Sequence, residues 1–313
     1  MAKVTNAFTT YDAQANREDL SNLIYNISPS DTPLMSSIGR RNVSNVTFDW
    51  QTESLPAVNS GNAEIEGFEL SRSAGNATVR VSNICQISKR DATVSGSQNT
   101  ANAAAKSKEM AHQMALAAKA LKRDMETILC GTQGQNAGSA TVARKTRALE
   151  SWLSTNVSRG TSGADAASAT AAPTDGTARA LTEALLKSAL QDCYTNGAEP
   201  TTLMVGPVNK MKVSDFTGRA SARQTIGAET IQQAVTIYAS DFGDLKVVPS
   251  RWIRERTAFL IDPSYMAVGY YRNFQTQDIA KIGDADTKMI VAEYGLEMRN
   301  EAAHGAIADL TTS

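Results

Sequence analysis

Three observations predict an α+β fold. A stretch free of Gly and Pro, Thr100 to Cys130, is built from strong helix formers. Two segments of alternating polarity precede it, and the last quarter of the chain is rich in short strands separated by turn signals. The resulting order is ribbon, long helix, mixed α/β, then antiparallel strands. It lacks the regular strand–helix alternation of a Rossmann or barrel fold.

The first 42 residues carry too little apolar material for a domain. Asn16 to Asn26 reads as a short helix with Leu20, Leu23, Ile24 and Ile27 on one side and acids in its first turn. The two prolines of SPSDTPLMSSIG then force extended or turn geometry. Such an arm must lie on the rest of its own chain or on a neighbouring copy, and both remain open.

Asn45 to Gln51 alternates, with Val46, Phe48 and Trp50 pointing one way and Thr47, Asp49 and Gln51 the other. A second alternating run, Thr78 to Val94, changes phase at Ser82-Asn83, which predicts a bulge or bend. The turn-rich segment between them makes the pair a long two-stranded ribbon with a loose tip. A lone ribbon is marginal in water, so one that projects needs a partner surface.

In the long helix, Met110, Met114, Ala117, Leu121, Met125 and Ile128 form one apolar stripe, while Lys108, His112, Lys119, Arg123 and Glu126 fall on the opposite side. Spanning Thr100 to Cys130, it would be a rod of roughly 45 Å. Ser158 to Arg179 is low in complexity and reads as a linker or surface loop. Ala180 to Tyr194 is a helix with Leu181, Leu185, Ala189 and Leu190 on one face. Thr202 to Val205 is a short buried strand, and Pro207 opens another helix at a favourable first position. The polar run Phe216 to Gln233, with Arg219 and Arg223, reads as an exposed loop. Strands flank the turns at Asp241 to Asp244 and Asp262-Pro263. Finally, Met289 to Arg299 sets Ile290, Ala292, Tyr294, Leu296 and Met298 against Glu293, Glu297 and Arg299.

Composition excludes several function classes. The chain has 313 residues, with Lys+Arg 31 against Asp+Glu 32, so no charge block advertises a nucleic-acid partner or an acidic substrate. Three cysteines far apart fit a reducing compartment and argue against a disulfide scaffold or a zinc site. There is no apolar run of bilayer length and no secretory-signal layout, which predicts a soluble intracellular chain without a membrane partner. The two histidines, His112 and His304, read as surface residues. Asp241-Phe242-Gly243 matches a kinase tripeptide without a glycine-rich loop or His-Arg-Asp, so it reads as a turn. No catalytic residues, cofactor or metal site emerge. Arm, ribbon and long helix are instead surfaces suited to copies of the same chain.

At that point the chain resembles the major capsid proteins of tailed bacteriophages. The resemblance is carried by Ser30 to Leu34 (SDTPL) with Ile38-Gly39, by Phe48-Asp49-Trp50, and by Tyr238 to Arg251 (YASDFGDLKVVPSR). Asp278 to Asp286 (DIAKIGDAD), Glu293 to Glu297 (EYGLE) and Asn300 to Ile307 (NEAAHGAI) continue it over nearly the whole chain.

The resemblance implies the Hong Kong 97 type capsid fold, with residues 1–42 as N-arm and 43–94 as the extended E-loop ribbon. Residues 95–145 and 251–313 would form the peripheral domain with its spine helix, and 146–250 an α/β axial domain whose loop 216–233 faces the capsomer axis. It further implies a virion protein, assembled in the host cytoplasm, that forms pentamers and hexamers of a head enclosing DNA. Non-specific DNA contacts on the inner face are implied, with scaffolding, cement and portal proteins as candidate partners. No long charged helical segment precedes the arm, so a scaffold is expected as a separate protein. Some relatives cross-link an E-loop lysine; here no lysine lies between Lys3 and Lys89, so a non-covalent shell is expected. The candidate intersubunit contacts are Leu23, Ile24, Trp50, Leu55, Phe68, Leu70, Arg219 and Arg223, aromatic and arginine anchors being frequent in such contacts. An encapsulin-like compartment, which shares the fold, is the alternative, followed by an enzyme with an unrecognised site.

Overall fold

The structure is a computed structural model that describes residues 31–69, 75–101, 108–216, 236–281 and 283–312. The helix expected at 16–26 and the loop carrying Arg219 and Arg223 lie outside the described residues.

The end of the arm is packed on the chain's own core. A short helix α1 (Pro33–Ser37) buries Leu34 and Met35, and strand β1 (Gly39–Asn42) follows. The ribbon is β2 (Thr47–Thr52) paired antiparallel with β3 (Val79–Ile84). The phase change expected as a bulge or bend is a change of sheet. Cys85 ends the pairing with β2, and the chain continues as β4 (Gln86–Ser95), which pairs with a different strand. Asn83, fully buried, fixes this corner. Its amide donates to Leu296 O at 2.6 Å and Thr146 Oγ1 at 3.1 Å, and its Oδ1 accepts from the N–H groups of Ile84 and Arg147.

The long helix is shorter than its sequence indicates. Gly96–Thr100 is a separate helix, α2, capped by Ser95 Oγ, and α3 covers Glu109–Leu129, about 32 Å. The backbone turns extended at Ala101 and again at Lys108, so good helix formers alone did not carry the helix back to Thr100. The apolar stripe holds from Met110 to Met125, with Leu121 and Met125 fully buried and Met114 and Ala117 packed at its edge. At its end Leu129 is the buried residue, and Ile128, expected there, is half-buried.

Glu126 is a correction. It is fully buried, not on the solvent face, and its carboxylate accepts from the N–H groups of Leu34 at 2.6 Å and Met35 at 2.9 Å. The first turn of α1 leaves these donors without helical partners, and the acid on α3 satisfies them.

After α3 come α4 (Leu149–Trp152), β5 (Val157–Ser158), α5 (Glu183–Thr195), β6 (Thr202–Val205) and α6 (Pro207–Ser214). Strands β7 (Ile237–Ser240) and β8 (Gly243–Pro249) form the hairpin expected around Asp241, with Gly243 at φ +132. The chain ends with β9 (Ala258–Ile261), β10 (Met266–Ile279), β11 (Ala285–Met298) and β12 (Gly305–Ile307). One sheet has the order β1-β10-β11-β4, the other β5-β12-β9-β6-β8-β7. Strands β9 and β10, neighbours in sequence, belong to different sheets, separated by a 3-10 turn at Pro263–Tyr265. Residue 250 is therefore no boundary between sheets, since 258–261 and 305–307 complete the sheet of β6 and β8.

The loop 158–179 does not behave as a linker. Asp309, buried, accepts from Gly160 N at 2.9 Å and Gly176 N at 2.7 Å, and Arg179 N donates to Asp309 O. A Cβ on Gly176 would lie 2.5 Å from Gly163 N, so the glycines permit the loop's backbone to fold tightly on itself.

On β11 the expected apolar face lines the core. The opposite face is buried too. Glu293 sits between Arg144 and Arg272, and Glu297 between Arg41 at 3.0 Å and Arg299 at 3.3 Å. Paired guanidinium groups make these buried carboxylates tolerable. His304 is also a correction. It is fully buried, its Nδ1 accepts from Asp262 N at 3.2 Å, and burial pushes its pKa down to about 4. His112 is half-buried.

Candidate assembly surface

The ribbon has a fixed root and an uncovered tip. At the root, Phe48 is buried against two glycines that face each other across β10 and β11, Gly269 and Gly295. A Cβ on Gly295 would come within 2.7 Å of the Phe48 ring, so the flat floor needs glycine there. Trp50, half-buried, stacks at a tilt on Phe48 (5.8 Å) and on Trp152 (5.6 Å), tying β2 to α4. On the other face of the ribbon, Arg80 pairs with Asp49 across the strands.

Beyond Thr52 the chain leaves the sheet, and residues 53–69 form no regular element. Here Leu55 is 92% exposed, Val58 98%, Ile65 78% and Phe68 51%. Four large apolar side chains within one short segment, each at least half exposed, form a patch of the kind that interaction surfaces use. The same segment carries Glu53, Glu64, Glu66 and Glu69 and no lysine or arginine. The tip is thus apolar and acidic together.

Of the residues singled out from the sequence, Leu55 and Phe68 lie on this tip, and Trp50 belongs to the root and packs within the subunit. Leu23, Ile24, Leu70, Arg219 and Arg223 lie outside the described residues. Sequence reasoning passed over Val58 and Ile65. Their signal was an apolar side chain set singly in a Gly/Asn/Ser-rich stretch, where no periodicity directs it to a core.

The three cysteines are buried, and burial first, with neighbouring acids, pushes the thiols of Cys85 and Cys193 up to about 12, far from thiolate reactivity. Glu150, raised by burial, is held by Thr257, Arg159 and Arg254 and braces the 158–179 loop. Among the described residues no group of three or more His, Cys, Asp or Glu could hold a metal ion, and no helix is long and apolar enough to cross a membrane.

Comparison with known proteins gives this surface its context. The family model of the SU10 major capsid protein matches residues 3–311. The chain is 26% identical to the major capsid protein of Escherichia phage Phieco32, over 96% of both chains. Its fold is similar to that of the cyanophage A-1(L) capsid asymmetric unit, with TM-score 0.68 at 12% identity over 97% of this chain and 99% of that one. It is also similar to the SrpI encapsulin of Synechococcus elongatus, with TM-score 0.56 at 10% identity over 96% of this chain and 94% of that one. With a fixed ribbon root, an uncovered tip and the Hong Kong 97 type fold, the chain belongs to the SU10 major capsid protein family, structural proteins of capsid shells built from many copies.

Proposed function

We propose that the chain assembles through pentamers and hexamers into an icosahedral head that encloses phage DNA, formed in the host cytoplasm and held together without covalent cross-links. The observation that carries this reading is the tip at 53–69, whose apolar side chains are exposed on a ribbon whose root is packed against β10, β11 and α4. A neighbouring copy is the partner such a tip fits, because every subunit of a shell offers the same receiving surface. The absence of lysine between Lys3 and Lys89 supports a non-covalent contact by the ribbon. In domain terms, 1–42 acts as the N-arm, 43–94 as the E-loop, 95–145 with 251–313 as the peripheral domain, and 146–250 as the axial domain. In this reading the axial sheet borrows β9 and β12. Leu23, Ile24, Leu70, Arg219 and Arg223 are proposed as further intersubunit contacts. Scaffolding, cement and portal proteins are proposed partners.

The second reading, an encapsulin-like compartment, rests on the similarity to SrpI. Packaged DNA, as against a cargo enzyme, separates the two. The test is expression of the full chain with its scaffold, followed by size-exclusion chromatography and negative-stain microscopy, which should give closed shells. The double variant Leu55→Asp/Val58→Asp should unfold within about 0.5 kcal/mol of the parent, because both side chains are exposed. It should nevertheless yield no shells. Normal shells from that variant would remove the tip from the interface.

A further inference from the structure

Charge is unevenly distributed on this nearly neutral chain. Between Met110 and Arg123, α3 carries Lys119, Lys122 and Arg123 and no Asp or Glu. Lys108, Ala111, Ala115, Lys119 and Lys122 are all exposed, at spacings of three and four, so they form one line along the helix. Lys122 Nζ lies 5.9 Å from the centre of the Phe274 ring, and beside the line the Arg123 guanidinium lies 5.7 Å from that of Trp252. The aromatic ring orients Lys122 without neutralising it. Elsewhere Lys89, Lys187, Lys281 and Lys288 are held in ion pairs with acids, whereas among the described residues Lys108, Lys119 and Lys122 meet no such acid. The acids of α3 are withdrawn from the line: Asp124 is held by Arg90 through two bonds of 2.7 and 2.9 Å, and Glu109 and Glu126 are buried.

We infer that this outward face of α3 is the surface that meets the phosphate backbone of DNA within the shell. The inference rests on the reading of the chain as a shell that encloses DNA. Small side chains at 111 and 115 let a duplex approach the helix closely, while Lys119 and Lys122 supply sequence-independent phosphate contacts. The acidic ribbon tip of another copy is the competing anion. That tip needs a pocket for Leu55, Val58, Ile65 and Phe68, and the cleft on this face, with Met110, Ala111, Met114 and Ile279 in its wall, lies at the Lys108 end of the line, away from Lys119 and Lys122.

The test compares the full chain, kept unassembled by Leu55→Asp/Val58→Asp, with and without Lys119→Gln/Lys122→Gln. Each is titrated with a fluorescent DNA duplex between about 50 and about 200 mM salt. Removing both lysines should flatten the plot of log affinity against log salt by about 1.8, about 0.9 for each phosphate no longer neutralised. The control Lys212→Gln/Lys246→Gln, exposed lysines elsewhere, should leave the slope unchanged. In the parent chain, Lys119→Gln/Lys122→Gln should still form closed shells. An unchanged slope, or a slope changed equally by the control pair, overturns the inference and leaves the capsid reading intact. Shells abolished with DNA affinity unchanged would reassign the face to a contact between copies. A parent chain that forms no shells with its scaffold present would instead overturn the capsid reading, and this inference with it. Should the tip variant itself close into shells, formaldehyde cross-linking of DNA-filled particles decides. Adducts at Lys119 and Lys122 support the inference, and adducts confined to other lysines overturn it.

Discussion

Phe48→Ala is expected to cost about 3–5 kcal/mol and to free the ribbon from its subunit. The side chain is 5% exposed and closes the gap in the sheet's side-chain layer left by Gly269 opposite Gly295. Truncation opens a cavity over two glycines that have no side chains with which to fill it. The ring also supports Trp50, which in turn contacts Trp152, so the loss extends along β2 to α4. The converse change, Gly295→Ala, puts a methyl 2.7 Å from the Phe48 ring and 3.1 Å from Ile84 O. It should cost about 1–3 kcal/mol by overpacking. Because the two changes act on the same pair of residues, Phe48→Leu combined with Gly295→Ala should cost less than the sum of the two, with a coupling of about 0.5–3 kcal/mol. Guanidinium unfolding of the four chains measures this cycle, and strict additivity would refute the direct packing of ring on glycine. Shell yield should fall with Phe48→Ala even at temperatures where the rest of the subunit stays folded, because the tip would no longer be presented at a fixed angle.

Glu126 and His304 are expected to impose opposite pH dependences that mask each other. Burial raises the pKa of Glu126 from 4.5 to about 7, against the lowering effect of the Met35 and Leu34 N–H groups and with Asp31 adding to the rise. The folded chain therefore holds this proton more tightly than the unfolded one. Its contribution to stability is complete below pH 4.5 and is lost as the pH rises toward 7. His304 behaves in reverse. Burial lowers its pKa from 6.5 to about 4, although Asp262 and the Tyr265 backbone favour the charged form. The unfolded chain takes up a proton that the fold refuses, so stability is complete above pH 6.5 and is lost as the pH falls toward 4. Each effect spans about 3 kcal/mol at 1.36 kcal/mol per pH unit. Across their shared window the two slopes cancel. Glu126→Gln should therefore lose about 3 kcal/mol of stability on acidification from pH 6.5 to 4, and His304→Gln should gain stability over much of the same range. Denaturant midpoints at several pH values check both. Parallel pH profiles for the two variants would show that the buried groups are wrongly paired with these slopes.

Much of the fold was legible because it depends on local periodicity. The alternation of Ile290, Ala292, Tyr294, Leu296 and Met298, the stripe Met110–Leu121–Met125, Pro207 at a helix start and the Asp241 hairpin are all properties of neighbouring residues. Two aspects of the candidate site were also legible, the apolar tip residues Leu55 and Phe68 and the lack of lysine in the ribbon. The phase change at Ser82-Asn83 was visible, but not its cause. A change of sheet and a bulge leave the same trace in sequence, and only the partners of β3 and β4 distinguish them.

The sequence by itself determined the types of most elements and their apolar faces, which follow from spacing along a single helix or strand, and the apolar, lysine-free character of the ribbon, which is composition alone. The tertiary structure decided the rest: Glu126 on the donors of Leu34 and Met35, Asn83 on Leu296, Phe48 on Gly295, and Asp309 on the loop at Gly160 and Gly176. It also decided that His304, Glu293 and Glu297 are buried. A polar residue reads as solvent-facing until its partner is known, and these partners stand far off in the chain. Where no local period links two residues, only the folded chain brings the donor to its acceptor.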